Sequence, residues 1–227
     1  IQGMRAQEAS NLKASLLTAS LNDDAGVWKS VTLGDLYNVG SSKRVLKADW
    51  KTSGIPFYRG REITKLSVDG YVENDLFITD EHYQSLSSKS GVPNTDDIMI
   101  TAIGTIGNTY IVQPNDKFYF KDASVLWLRK KADVSSKYVQ YWLKTDGFFS
   151  QLDKGNGATV DTLTIKKLAS VELPFPPLAE QQRIVAMLDT VFSEIEAIAS
   201  ALSATKANYS LLKSAILAQQ LNPSEAA

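Results

Sequence analysis

The sequence predicts a mixed α/β (α+β) globular domain over residues 28–177, a long C-terminal coiled-coil helix over 178–222 and a short N-terminal helix over 5–22. Three observations carry this prediction. An apolar heptad fills the C-terminal quarter, short β-type segments separated by turn residues fill the middle, and the two ends of the chain are alike.

The long helix is the clearest element. Ile184, Leu188, Val191, Ile195, Ile198, Leu202, Thr205, Tyr209, Leu212 and Ile216 follow one another in alternating steps of four and three. That is a coiled-coil seam. Val185, Phe192 and Ala199 add a flanking stripe that widens the apolar face. No Gly or Pro breaks the run before Pro223, so a helix of about 40 residues would be roughly 60 Å long. Alone, such a helix has nowhere to bury its seam. The expected helix interface is therefore Ile184, Leu188, Val191, Ile195, Ile198, Leu202, Tyr209, Leu212 and Ile216.

At the other end, residues 11–22 align without gaps with residues 211–222: Leu12, Lys13, Leu17, Leu21 and Asn22 recur as Leu212, Lys213, Leu217, Leu221 and Asn222. Two Leu/Ala-rich amphipathic helices can look alike by composition. The alternative is an internal repeat, with the N-terminal helix as the tail of a second long helix.

Between the helices, β-type segments are expected at 28–33, 55–58, 75–79, 98–102 and 124–128, with helices at 135–143 and around 164–169. Turn signals at Ser53-Gly54, Asp69-Gly70, Gly91-Val92-Pro93 and Gln113-Pro114-Asn115 separate them. Val171 and Leu173 read as a further strand, closed by Pro174, Pro176 and Pro177. Charge is uneven: residues 28–67 hold eight Lys/Arg against three acids, whereas residues 69–97 hold one against seven.

Composition narrows the function classes. With 227 residues, 44% hydrophobic and 22% charged, the chain is not wholly disordered. It has no cysteine and one histidine, His82, which removes disulfides, thiolate nucleophiles and multi-histidine zinc sites. No apolar run approaches a membrane span and no secretory leader pattern is present, so the expected setting is cytoplasmic, with no membrane partner. Motifs for a P-loop, a dinucleotide fold, a nucleophile elbow or a zinc protease are absent. No catalytic residue, metal ligand or cofactor is expected.

The remaining features each have two readings. Gly104-Thr105-Ile106-Gly107-Asn108 is a tight turn after a strand or a backbone that approaches a ligand or nucleic acid. Gly155-Asn156-Gly157-Ala158-Thr159 is a turn into a short helix, capped by Asp161 or Thr162, or a polar loop that meets bases or phosphates. Asp96-Asp97 is the solvated start of a strand or part of a metal site, which lacks a third ligand in view, and His82 is a surface or core histidine or a catalyst, which lacks a nucleophile nearby. Lys43, Arg44, Lys47 and Lys51, followed by Arg59 and Arg61, are a solvated face or a polyanion-binding one.

Several segments together resemble the specificity (S) subunit of type I restriction-modification systems, here in a half-length form with one target-recognition domain. They are Trp28 to Leu36, Ile55 to Ile63, Asp97 to Thr101 leading to Gly104 and Gly107, Gly157-Ala158-Thr159, and Leu173-Pro174 followed by Pro176 to Val185 at the head of the long helix. The resemblance spans nearly the whole chain in the family's order. One departure stands out: members of that family usually carry two target-recognition domains and two long helices.

The resemblance implies a non-catalytic reader of duplex DNA, contacting one half of a bipartite site. Its long helix would dock modification (methyltransferase) subunits, which bring S-adenosylmethionine, and restriction subunits would complete the system. Two copies would pair through the long helix as a homodimer. The chemistry and position of the side chains nominate Lys43, Arg44, Lys47, Arg59, Arg61, Thr105, Asn108, Asn156 and Thr159 as DNA contacts. Two other classes compete: a coiled-coil protein-interaction module that does not bind DNA, and a nuclease or methyltransferase fragment, which the absent motifs disfavour.

Overall fold

The structure, a computed structural model, describes residues 2–23, 26–152 and 161–221, with side chains for 7–23, 26–152 and 161–219. In chain order the elements are α1 (Gln2–Leu21), β1 (Lys29–Thr32), α2 (Leu33–Leu36), β2 (Tyr37–Gly40), β3 (Ile55–Tyr58) and α3 (Gly60–Asp69). There follow β4 (Phe77–Ile78), α4 (Asp80–Ser90), β5 (Ile98–Thr101), β6 (Thr109–Ile111), β7 (Tyr119–Phe120) and β8 (Val125–Lys130). The chain continues through α5 (Ser136–Trp142), α6 (Asp146–Gln151), α7 (Ile165–Ala169) and β9 (Glu172–Phe175) into α8 (Leu178–Leu221). This is the expected mixed α/β fold with a long helix at one end of the chain and a shorter one at the other.

The chain forms two compact units. One is Leu17–Val185; the other takes the rest of α1 and α8. The globular unit therefore includes the last turn of α1 and the first two turns of α8, beyond the expected limits of 28 and 177. In these added turns Leu17, Leu21, Gln181 and Ile184 are buried.

Three sheets organise the globular unit: β2-β8-β5-β6, β4-β3-β7 and the ribbon β1-β9. All pairs are antiparallel except β3 with β7. All four residues of β5 are buried, as befits a strand covered on both faces. Ile63 and Leu66 of α3 pack with Met99, Phe118, Phe120, Val125 and Trp127. A second cluster joins Phe57, Ile78 and Tyr119 to Leu86 of α4 and to Val45.

Several expectations need correction. Pro174 does not close the last strand; it lies within β9 opposite Ser30, tolerated because a two-stranded ribbon has only edge strands. β4 is shorter than expected and leaves Asp75 outside it, and β1 ends at Thr32, where a reciprocal Thr32–Asp35 capping box starts α2. The cap of α7 is Thr164, accepting from Lys167 N at 3.1 Å, and not Asp161 or Thr162. Asp97 is buried rather than solvated, accepting from Asn94 N, Trp127 Nε1 and Lys130 N at 2.8, 2.8 and 2.9 Å.

In the second unit, Lys13 pairs with Glu196 at 2.6 Å and lies over the Phe192 ring. α8 runs without a break, as expected. Along its seam Ile184 and Leu188 are buried, and Val191 and Ile195 are half-buried. Ile198, Leu202, Tyr209, Leu212 and Ile216 are exposed, from 44% at Leu202 to 69% at Tyr209. Among the described residues no helix is long and apolar enough to cross a membrane.

Candidate nucleic-acid interface

The strand registers bring several loops to one end of the globular unit. Thr101, the last residue of β5, lies opposite Val125, the first of β8. Gly40, the last of β2, lies opposite Trp127. Tyr58 and Phe120, the last residues of β3 and β7, pair in parallel. The connections 41–46, 59–60, 102–108 and 121–124 therefore leave the sheets at the same end. Hydrogen bonds tie them together: Ser41 Oγ donates to Val125 O at 3.1 Å, Lys121 N to Tyr58 O at 2.8 Å, and Ala102 N to Ser124 O at 3.0 Å.

Lys43 and Arg44 sit on the first of these connections. Lys43 N donates to the Tyr119 hydroxyl at 2.8 Å, which anchors the backbone and leaves the side chain exposed. Lys47 lies three residues beyond Arg44, in a 3-10 turn. Among the described residues, the side chains of Lys43, Arg44 and Lys47 are exposed and have no ion-pair partner.

Arg59 and Arg61 are in a different state. Arg59 Nε and Nη2 donate to the two oxygens of Glu62 at 3.1 and 2.9 Å, and Arg61 Nε reaches Glu62 Oε1 at 2.5 Å. Each also bonds one oxygen of Asp75, Arg59 at 2.8 Å and Arg61 at 2.5 Å. Glu62 is buried, and it also accepts Arg59 N at 2.8 Å as the third residue of the α3 capping box. Burial pushes the Glu62 carboxyl up, but hydrogen bonds from Arg59 and Arg61 outweigh it and leave the group below its ordinary value. The Arg61 hydrogen bond holds Asp75 low as well.

The 102–108 loop is built on Thr101. Its hydroxyl donates to Thr105 O at 2.5 Å and accepts Asn108 N at 3.0 Å. Gly104 and Gly107 both have positive φ, +76° and +95°, which favours glycine. Asn108 Nδ2 donates to Thr64 Oγ1 on α3 at 3.0 Å, so this side chain braces the loop against the helix. Thr105 is exposed at the tip. Ile103 bridges Thr162, and Leu163 N donates to Ala102 O at 2.8 Å. Asn156 and Thr159 lie outside the described residues.

The structure thus brings Lys43, Arg44, Arg59, Arg61, Thr105 and Asn108 to one edge. It adds two cations that the sequence did not single out. Lys121 is exposed on the β7–β8 connection, and Arg129 stacks on the Trp127 ring at 4.7 Å. Nothing in the sequence marked Lys121 as a neighbour of Arg59, because the parallel pairing of β3 with β7 is what brings the two together.

The family model of the type I restriction modification DNA specificity domain matches residues 26–204, which include every described residue of this edge. The chain belongs to that specificity family. A putative type I restriction enzyme specificity subunit of Haemophilus influenzae is 35% identical over 163 residues, 71% of this chain and 39% of that protein. The EcoAI specificity subunit of Escherichia coli is 26% identical over 172 residues, 71% of this chain and 28% of that protein. The fold is likewise that of solved specificity-family chains. The HsdS subunit of Thermoanaerobacter tengcongensis superposes with a TM-score of 0.68 at 22% identity, covering 95% of this chain and 52% of that one. A chain from a study of type I R-M complex assembly and conformational transition gives a TM-score of 0.70 at 21% identity, over 95% and 53%. This specificity-family chain spans about half the length of those solved chains and less of the curated relatives.

Proposed function

We propose that the chain is the sequence-reading part of a type I restriction-modification system and has no catalytic role of its own. In this reading the edge built from residues 41–46, 59–60, 102–108 and 121–124 meets one half of a bipartite duplex site. Lys43, Arg44 and Lys47, with Lys121, contact phosphates and set the register, while Thr105 and the segment that carries Asn156 and Thr159 face the bases. Asn108 shapes the loop that presents Thr105.

The convergence of those loops at one sheet end, with exposed cations on them, is the observation that carries the reading. The exposed seam of α8 supports the rest of it: two copies pair through Ile198, Leu202, Tyr209, Leu212 and Ile216, and the paired helices dock modification subunits, which supply S-adenosylmethionine. Restriction subunits join the same assembly in the cytoplasm.

Methylation mapping of DNA exposed to this chain with its modification subunit tests the reading. A symmetric bipartite pattern is expected from a homodimer. An asymmetric pattern would mean that the second half-site is read by a different domain. No methylation, with no duplex binding, would favour the coiled-coil interaction module instead. Replacing Lys43, Arg44 and Lys47 with Ala should reduce the salt dependence of binding by about 0.9 in log–log slope for each phosphate that is no longer neutralised.

A further inference from the structure

The Arg59–Arg61–Glu62–Asp75 cluster has two sides that differ in kind. On the inner side, Glu62 is 1% exposed and accepts Arg59 N, both Arg59 side-chain bonds and Arg61 Nε. That carboxylate is fixed: removing it would leave two guanidinium groups without their buried partner. On the outer side, Asp75 is 63% exposed, and each of its oxygens takes one guanidinium, Oδ1 from Arg59 and Oδ2 from Arg61.

Two guanidinium groups that each give one N–H to a different oxygen of one exposed anion are placed to hold two non-bridging oxygens of a phosphate in the same way. Exposed ion pairs contribute little net stability, so the outer anion is exchangeable where the inner one is not. Asp75 also stands where an exchange would matter. β4 pairs with β3 so that Pro56 faces Phe77, which places Asp75 beside the end of β3 from which Arg59 and the reading loops depart.

We propose that Arg59 and Arg61 form a phosphodiester site that Asp75 occupies in the free chain, and that a duplex phosphate displaces Asp75 on binding. Asp75 is thus an internal stand-in for the ligand: it holds both forks in the shape that receives a phosphate and competes with it. The inference rests on the proposed DNA-reading role and names a specific contact and competitor within it.

The test measures duplex affinity and its salt dependence for the chain together with its modification subunits, using an oligonucleotide that contains the mapped site. Asp75→Asn keeps the shape and removes the competing charge. It should tighten binding by about tenfold near physiological salt and steepen the log–log salt slope by up to about 0.9, because no displaced carboxylate is left beside the duplex to take up a cation in place of the one its phosphate releases. The gain should vanish in an Arg59→Ala, Arg61→Ala background, whose folding is checked by its urea midpoint. An equal gain in that background would reveal a general charge effect and overturn the proposal. Inorganic phosphate in place of chloride at matched ionic strength should leave the gain intact; its abolition would assign the site to a free ion and also overturn it. Wild-type binding that Lys43→Ala weakens but Asp75→Asn leaves unchanged would refute this proposal alone. Absence of any duplex binding by the wild-type complex would remove the DNA-reading role and this proposal together.

Discussion

The carboxamide of Gln181 closes on the backbone of Ser135: its Oε1 accepts Ser135 N at 2.9 Å in a fully buried position. Its Nε2 donates to Pro176 O, also at 2.9 Å. One side chain at the head of α8 therefore satisfies the cap of α5 and the last carbonyl before the Pro-Leu step. Gln181→Leu would leave a half-buried donor and a buried acceptor without partners, so a loss of about 2–3 kcal/mol is expected in urea unfolding. Gln181→Ala should lose at least as much, because it also opens a cavity.

Gly107 and Gly104 separate two causes of glycine dependence. A Cβ on Gly107 would lie 2.9 Å from Phe149 Cζ, whereas one on Gly104 would meet nothing within 4 Å. Both have positive φ. Gly104→Ala should therefore lose only the backbone preference, about 1 kcal/mol. Gly107→Ala should lose about 2–3 kcal/mol by adding a clash, and Phe149→Ala should recover part of that loss in a double-mutant cycle. Equal effects at both positions would show that the loop relaxes away from the ring.

Acid should destabilise the globular unit through its paired carboxylates. Glu62 and Asp75 both lie below their ordinary values of 4.5 and 3.8, and buried Glu62 carries most of the effect because Asp75 is exposed and screened. The unfolded chain therefore takes up protons first as the pH falls. The stabilisation is complete above those ordinary values and is lost as the pH drops through the folded ones. Urea midpoints should be flat from neutrality to about pH 5 and decline below it. Glu62→Gln should lower the neutral midpoint and flatten the acid limb. An unchanged limb would assign the acid response to Asp35, Asp80 and Glu180, which are also held low by hydrogen bonds, from Thr32, Lys117 and Arg183 respectively.

The long helix was legible because its seam repeats over many turns, and β3 and β5 because apolar residues stand between clear turns. α3 and α4 were not. α3 buries only Glu62, Ile63 and Leu66, and α4 only Leu86, so neither shows a long apolar stripe. Their signals were the ends: Glu62 as the third residue and Gly70 at φ +73° for α3, and Thr79 accepting His82 N for α4. Within the candidate site, composition found the cations but not their partners. Glu62 and Asp75 stand 13 positions apart in the sequence, and only the pairing of β3 with β4 puts Asp75 within reach of Arg59 and Arg61.

Exposed seam residues give the proposed homodimer a direct test. Ile198 is 66% and Leu202 44% exposed, so lysine at both should leave the fold of a single chain intact. In a pair of copies the same change would remove four side chains from the interface, each worth about 1.5–3 kcal/mol when buried. Dissociation should become at least about a thousandfold easier. Sedimentation equilibrium measures this; an unchanged dissociation constant would place any dimer interface elsewhere.

If paired helices set the distance between half-sites, inserting one heptad into α8 should lengthen the spacer by about 10 Å, at 1.5 Å per residue. That corresponds to about three base pairs along the duplex. A heptad nearly preserves the seam, whereas a four-residue insertion turns the apolar face by about 40° relative to the preceding turns and disturbs pairing. The heptad variant should therefore methylate a site whose gap is longer by about three base pairs, with both half-site sequences unchanged. The four-residue variant should lose dimerisation first. An unaltered gap in the heptad variant would show that the modification subunits, and not α8, fix the spacing.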